Sequence, residues 1–280
     1  MIHHELTPGP EGAPTVVLSN SLGSTLSMWE RQVDALAEHF SVLRYDLRGH
    51  GLSVPSTRPD TIDDLVGDVI TLLDTLGLGR VHFIGLSLGG MTGLRLAATH
   101  PDRVDRLAVL CTSAHLPPAK AWRERATVVR AEGTGAVAEA VVRRWYTEGF
   151  HDREPERIQA AVETVAATPA DAYAACCEVI ATMDLRADLP SISTPTLAIA
   201  GADDPATPVP HLQAIAESVQ DGQLLVVPQS AHLANDEQPE IITEALLAHL
   251  RGPCLHPAAR DTGDAALSHT ARRHQAAPSP

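Results

Sequence analysis

The chain of 280 residues is short of positive charge: 21 Lys and Arg stand against 35 Asp and Glu, a net charge of −14. That deficit argues against a nucleic-acid backbone or an anionic membrane surface as partner, since both call for clustered cations. It does not bar a small anionic ligand, because a local pocket can oppose the global sign. Cysteine is scarce as well. Cys111, Cys176, Cys177 and Cys254 have no framework spacing, which excludes a disulfide scaffold, and adjacent Cys176-Cys177 reads as two packed thiols in a helix. No stretch approaches the roughly 18 uninterrupted apolar residues of a membrane span. The start, Met1-Ile-His-His-Glu-Leu, lacks a basic region leading into an apolar run. A reducing, cytoplasmic setting is therefore expected. His3-His4-Glu5 is not metal-ligand spacing on a defined element, and no H-E-x-x-H occurs, so no metal is expected.

What is abundant is apolar sequence. Hydrophobic residues make up 44% and charged ones only 20%, which indicates a sizeable buried core. Short apolar runs alternate with amphipathic stretches. Thr15 to Ser19, Val42 to Tyr45, Val81 to Ile84 and Leu107 to Cys111 read as buried strands. Met28 to Phe40 and Thr61 to Leu76 read as helices, the second capped by Thr61 and stopped by Gly77. Continuous apolar strands between helices are the signature of a parallel sheet covered on both faces. From about Pro117 to Arg186 the strand-like runs vanish and roughly four short helices are expected. Two of the three tryptophans, Trp122 and Trp145, lie there with Tyr146 and Tyr173, and suggest a lid. The alternation returns with strands Thr196 to Ala200 and Leu224 to Val227 and helices His211 to Ser218 and Glu237 to Leu250. The expected organisation is an α/β core over residues 1–116 and 187–251, a helical cap over 117–186, and a disordered tail over 252–280.

The core is organised around Val81 to Gly90. There an apolar run enters Gly85-Leu86-Ser87-Leu88-Gly89 and then the helical pattern Met91 to Ala98. A G-x-S-x-G between strand and helix is the nucleophile-elbow pattern: the serine sits on a strained turn, and glycines on either side let backbones pass closely. Alone it also fits an ordinary Gly-rich turn. It is not alone. An acid, Asp203 or Asp204, ends a later strand, and His232 follows the last strand. Ser87 needs a neighbouring base to become nucleophilic, and a carboxylate would fix the imidazole tautomer and stabilise its protonated form. His50 is a weaker competitor as base.

The order Ser…Asp…His resembles the α/β-hydrolase superfamily over about residues 13 to 251. Asp46-Leu-Arg48-Gly49-His50-Gly51-Leu-Ser53 is similar to a D-x-R-G-H-G-x-S loop common in these enzymes and is taken as structural. The resemblance implies Asp204 as the catalytic acid, third after the strand-end glycine. Most relatives carry a His-Gly pair after the first clear strand, where Asn20 and Ser21 stand here. The oxyanion hole consists of backbone N–H groups, so Leu22 and Leu88 can still supply it. That departure points further. Leu18 to Trp29, Gly85 to Gly93, Arg144-Trp-Tyr-Thr147 and Cys176-Cys177 together resemble the 3-oxoadipate enol-lactonase family of the β-ketoadipate pathway. In some bacteria that lactonase is fused to a decarboxylase, of which nothing after Gly252 is reminiscent.

The resemblance implies a cofactor-free serine hydrolase acting on a small anionic lactone. The substrate carboxylate calls for a pocket cation, with Arg144 beside Trp145 the first candidate and Arg125, near Trp122, the second. The chain is also compatible with a homo-oligomer. Rivals are a general carboxylesterase, another lactonase or a perhydrolase of the same superfamily, and a non-catalytic hydrolase-fold ligand sensor.

Overall fold

In the computed structural model, which describes residues 2–54 and 58–252, five strands are buried along nearly their whole length. The chain runs β1 (His4–Thr7), β2 (Thr15–Ser19), α1 (Glu30–Ala37), β3 (Ser41–Tyr45), α2 (Ile62–Thr75), β4 (Val81–Leu86), α3 (Leu88–Thr99) and β5 (Val104–Leu110). Five helices follow: α4 (Ala119–Glu132), α5 (Gly135–Val142), α6 (Glu148–Arg153), α7 (Pro155–Ala167) and α8 (Ala170–Thr182). Then come β6 (Thr196–Gly201), α9 (Val209–Ser218), β7 (Gly222–Val227), α10 (Ala234–Glu237) and α11 (Pro239–Leu250). The strands form one seven-stranded sheet in the order β1-β3-β2-β4-β5-β6-β7. Only β1 is antiparallel, pairing His4 with Tyr45 and Thr7 with Val42. The other pairings are parallel.

The apolar strands dictate this arrangement. Val16, Val17, Leu18, Phe83, Ile84, Leu107, Val109 and Ile199 are fully buried, because helices cover both faces of the sheet. α3 packs closely on β4 at Gly93, where a Cβ would stand 2.9 Å from the Phe83 ring. β7 is the exception. As an edge strand it leaves Leu224 and Val226 exposed. Outside the sheet, α4 packs along α8 and α5 along α7, so the five helices between β5 and β6 bury their apolar faces largely against one another.

The structure differs from the expectations in four places. β1 has no apolar run and is recruited only by pairing with β3, so composition gives no sign of it. The stretch from Met28 splits into a 3-10 turn at Leu26–Trp29 and α1. The last helix breaks at Gln238 (φ −130, ψ 59), where the following Pro239 disfavours helical geometry, leaving α10 as a separate turn. The 117–186 stretch holds five helices instead of four because Pro155 opens a new helix directly after α6.

Caps fall where the sequence puts them. The Asp64 carboxylate accepts the N–H groups of Asp60 and Thr61, both at 2.9 Å, at the start of α2, and Gly77 ends it at φ +67. Cys176 and Cys177 are buried free thiols in α8. Among the described residues no helix is long and apolar enough to cross a membrane. The expected disordered tail, with Cys254, lies beyond Gly252 and outside the described residues.

Candidate active site

The strand order places a crevice at the carboxyl ends of β2 and β4, which lie side by side although β3 separates them in sequence. Such a reversal is where open α/β sheets bind ligands. Ser87 stands there, between β4 and α3, at φ 55 and ψ −115. Positive φ in a residue with a side chain is strained by about 1–3 kcal/mol and must be held by its surroundings. Three bonds hold it. The Ser87 N–H donates to the Leu110 carbonyl at 2.9 Å, and the Ser87 carbonyl accepts the Met91 N–H at 2.9 Å and the Thr112 hydroxyl at 2.6 Å. The flanking glycines are required by close approach. A Cβ on Gly85 would stand 2.2 Å from the Gly89 carbonyl oxygen, and one on Gly89 would stand 2.3 Å from that of Ser19.

The loop after β2 is fixed from the other side. The Asn20 carboxamide donates to the Tyr45 carbonyl at 2.8 Å and accepts from the Trp29 indole at 3.0 Å, while the Asn20 backbone carbonyl takes the Gly89 N–H at 3.0 Å. Asn20 thus ties the loop carrying Leu22 to the turn carrying Leu88. Neither the Leu22 nor the Leu88 N–H has an acceptor among the described residues. The Leu88 side chain is buried in the core, so this residue can offer the crevice only its backbone.

Asp204 and His232, at the ends of β6 and β7, meet. His232 Nδ1 lies 2.8 Å from Asp204 Oδ2. The same carboxylate accepts the Thr207 hydroxyl at 2.7 Å on Oδ2 and the Ala206 and Thr207 N–H groups at 2.7 and 3.2 Å on Oδ1. Burial alone would raise the Asp204 carboxyl, but His232, Thr207 and Ala206 outweigh it and hold the group down at about 2. It is therefore an anion at neutral pH, with the Nδ1–H tautomer of His232 the one that completes the pair. Asp203, by contrast, is exposed. His50 is fully buried and is not among the cavity-lining residues, and burial lowers its imidazole. The Asp46–Ser53 loop is a turn locked on itself: Asp46 accepts the Leu26 and Leu52 N–H groups, and Ser53 Oγ donates to the Asp46 carbonyl. Arg48 holds Asp68 of α2.

Ser87, His232 and Leu22 line one cavity of about 200 Å³. Trp122, Arg125, Arg144 and Trp145 from the inserted helices line it too. The volume suits a small substrate. Arg125 stacks over Trp122, its Cζ 4.4 Å from the ring centroid. Neither Arg125 nor Arg144 has a carboxylate partner among the described residues, whereas Arg130, Arg157 and Arg186 are all paired. Burial, and then the like charge of Arg125, lower the Arg144 guanidinium. His3-His4-Glu5 is spent on the β1 edge, with His3 against Asp46 and Glu5 against Arg44. Among the described residues no group of three His, Cys, Asp or Glu side chains could hold a metal ion.

Sequence reasoning missed Thr207 and Thr112, whereas Tyr173, expected in the inserted helices, lines the cavity. Thr207, three residues after Asp204 in a Pro-rich turn, was discoverable as a side chain able to close on that carboxylate. Thr112 leaves no local trace, because its partner is remote in sequence.

A doubly wound sheet with a serine on a strained strand–helix turn, and an acid–histidine pair at later strand ends, defines a class. Residues 14–239 match the alpha/beta hydrolase fold family, and the chain belongs to it. Within that family it is similar to 3-oxoadipate enol-lactonase 2 of Acinetobacter baylyi, with 39% identity over 245 residues, 88% of this chain and 91% of the relative. The enol-lactonase structure from Burkholderia xenovorans superposes with a TM-score of 0.86 at 39% identity, covering 89% of this chain and 96% of the other. A malate-bound thermophilic esterase from Thermogutta terrifontis has a TM-score of 0.84 at 30% identity, covering 89% and 93%.

Proposed function

We propose that the chain opens a small carboxylated enol-lactone, in the class of 3-oxoadipate enol-lactone, through a serine acyl-enzyme. Ser87 Oγ attacks the ring carbonyl as His232 takes its proton, and Asp204 stabilises the imidazolium. The Leu22 and Leu88 N–H groups hold the oxyanion. Collapse breaks the ring C–O bond, and His232 returns the proton to the departing enol oxygen. The enol tautomerises to the ketone. Water, deprotonated by His232, then attacks the acyl ester, and Ser87 leaves with the proton. The observation that carries the choice of substrate is the pair Arg125 and Arg144, two cations without acidic partners in the cavity that also holds Ser87 and His232. A substrate carboxylate would offset one of these two charges, and the two enol-lactonases at 39% identity support the same choice.

The five inserted helices act as a cap bounding residues 117–186, which brings the arginines over the nucleophile. A general carboxylesterase is the second reading, favoured by the esterase at 30% identity. Turnover of the enol-lactone by wild type and Ser87→Ala tests the assignment. The variant is expected to fold and to lose on the order of 10⁶ in kcat. A rate near wild type in a folded Ser87→Ala protein contradicts the serine mechanism.

A further inference from the structure

Glu237 is a carboxylate with 7% exposure, and no salt bridge joins it to a cation among the described residues. Its neighbour Asp236 carries the ion pairs on α10, to Arg157 and to Arg31, and also accepts the Tyr146 hydroxyl at 3.0 Å. Glu237 instead accepts three donors. Oε1 takes the Thr147 N–H at 2.9 Å and the Thr147 hydroxyl at 2.7 Å, and Oε2 takes the Ala231 N–H. Burying an anion without a cation is unfavourable, and burial indeed pushes the Glu237 carboxyl up.

The two ends of this bridge are chemically distinct. Ala231 immediately precedes His232. Thr147 ends the segment Arg144-Trp145-Tyr146-Thr147, which lines the cavity with a cation and an indole. A second bond runs parallel to the first, from the Leu233 N–H to the Trp145 carbonyl at 2.9 Å. Residues on both sides of His232 are therefore fastened to the segment that bears Arg144. No other side chain would serve equally. Both oxygens face N–H donors, so a glutamine must turn its own NH2 toward one of them and leave that donor unpaired.

We propose that Glu237 is a positioning residue that sets His232 and the Arg144–Trp145 segment in one register, so that the proton acceptor and the carboxylate anchor address the same substrate. The proposal rests on the serine-hydrolase reading above. Small displacements of this kind cost on the order of a hundredfold when reacting groups must align.

The test compares wild type, Glu237→Gln, Thr147→Val and Ser87→Ala on the carboxylated enol-lactone and on a neutral activated ester. Rates of wild type, Glu237→Gln and Thr147→Val are expressed per active site titrated with a fluorophosphonate, so that a loss of folded protein does not count. That of Ser87→Ala, which has no hydroxyl to label, is expressed per folded protein by circular dichroism. Glu237→Gln is expected to lower kcat per site by about tenfold to a hundredfold on both substrates, and to raise KM only for the carboxylated lactone. Thr147→Val, which removes one hydroxyl donor and keeps both backbone bonds, is expected to raise that KM several-fold and leave the neutral ester unchanged. A kcat per site and a KM both indistinguishable from wild type in Glu237→Gln overturn the proposal. Should that variant not fold, an unchanged lactone KM in Thr147→Val overturns it. If wild type and Ser87→Ala turn over alike, the serine reading falls and takes this proposal with it. If they differ while Glu237→Gln matches wild type, the proposal about Glu237 alone is overturned.

Discussion

At the scale of single residues, Asp204 illustrates how geometry separates two adjacent acids. Its carboxylate gathers His232, the Thr207 hydroxyl and two backbone N–H groups, whereas Asp203 is exposed beside it. Asp204→Asn is expected to lower kcat by about 10⁴, because the amide favours the wrong imidazole tautomer, and Asp203→Asn is expected to leave it near wild type. Equal losses in the two variants contradict the assignment. The same carboxylate has a stability signature. Its folded value of about 2 lies below the usual 3.8, so between those values the unfolded chain binds more protons than the folded one. The contribution, on the order of 2 kcal/mol, is present above about pH 4 and is lost as the pH falls toward 2. Denaturant melts across that range should show the gap between wild type and Asp204→Asn closing as the pH falls. Ser87, Asp204 and His232 were legible in sequence because each follows a strand that an apolar run announces. Thr207 and Glu237 were not. Their roles depend on turns that close only after the sheet has formed.

At the scale of elements, α11 is tied to β5 by a half-buried histidine. His249 Nε2 lies 3.0 Å from the Leu107 carbonyl, and burial, followed by the charge of Arg106, lowers the imidazole to about 4. The neutral form is thus favoured in the fold. In the unfolded chain the group titrates near 6.5, so stability is fully present above that value and is lost as the pH falls from about 6.5 to about 4. His249→Gln, which keeps an N–H donor without a titrating ring, should show a shallower fall in Tm between pH 7 and pH 4.5. A parallel fall in both proteins would show that another group governs the acid response. Elements with their own periodicity, such as α2, were legible to within a residue or two. β1 was not, since four residues without an apolar run owe their conformation to β3 alone. The split between α10 and α11 turns on Pro239, whose effect on Gln238 outweighs the apolar periodicity around it.

At the scale of the whole molecule, a net charge of −14 surrounds a cavity lined by two arginines that have no carboxylate partner among the described residues. The fold class was legible because buried strands alternate with amphipathic helices along most of the chain. The cavity was legible only in outline: tryptophans and arginines crowd the inserted stretch, but which of them converge depends on how α4, α5 and α8 pack. On the proposed reading, the local cations oppose the global field and draw in an anionic ligand by close contact. A charge-assisted bond to a carboxylate contributes about 1.5–3 kcal/mol, or roughly tenfold to a hundredfold in kcat/KM. The most direct measurement is kcat/KM for the carboxylated enol-lactone and for its neutral methyl ester, at matched ionic strength, in wild type and in Arg144→Ala. Wild type is expected to prefer the carboxylated lactone by at least about tenfold, with Arg144→Ala losing most of that preference while retaining activity on the ester. A wild-type preference for the neutral ester would contradict the account and leave a general esterase in its place.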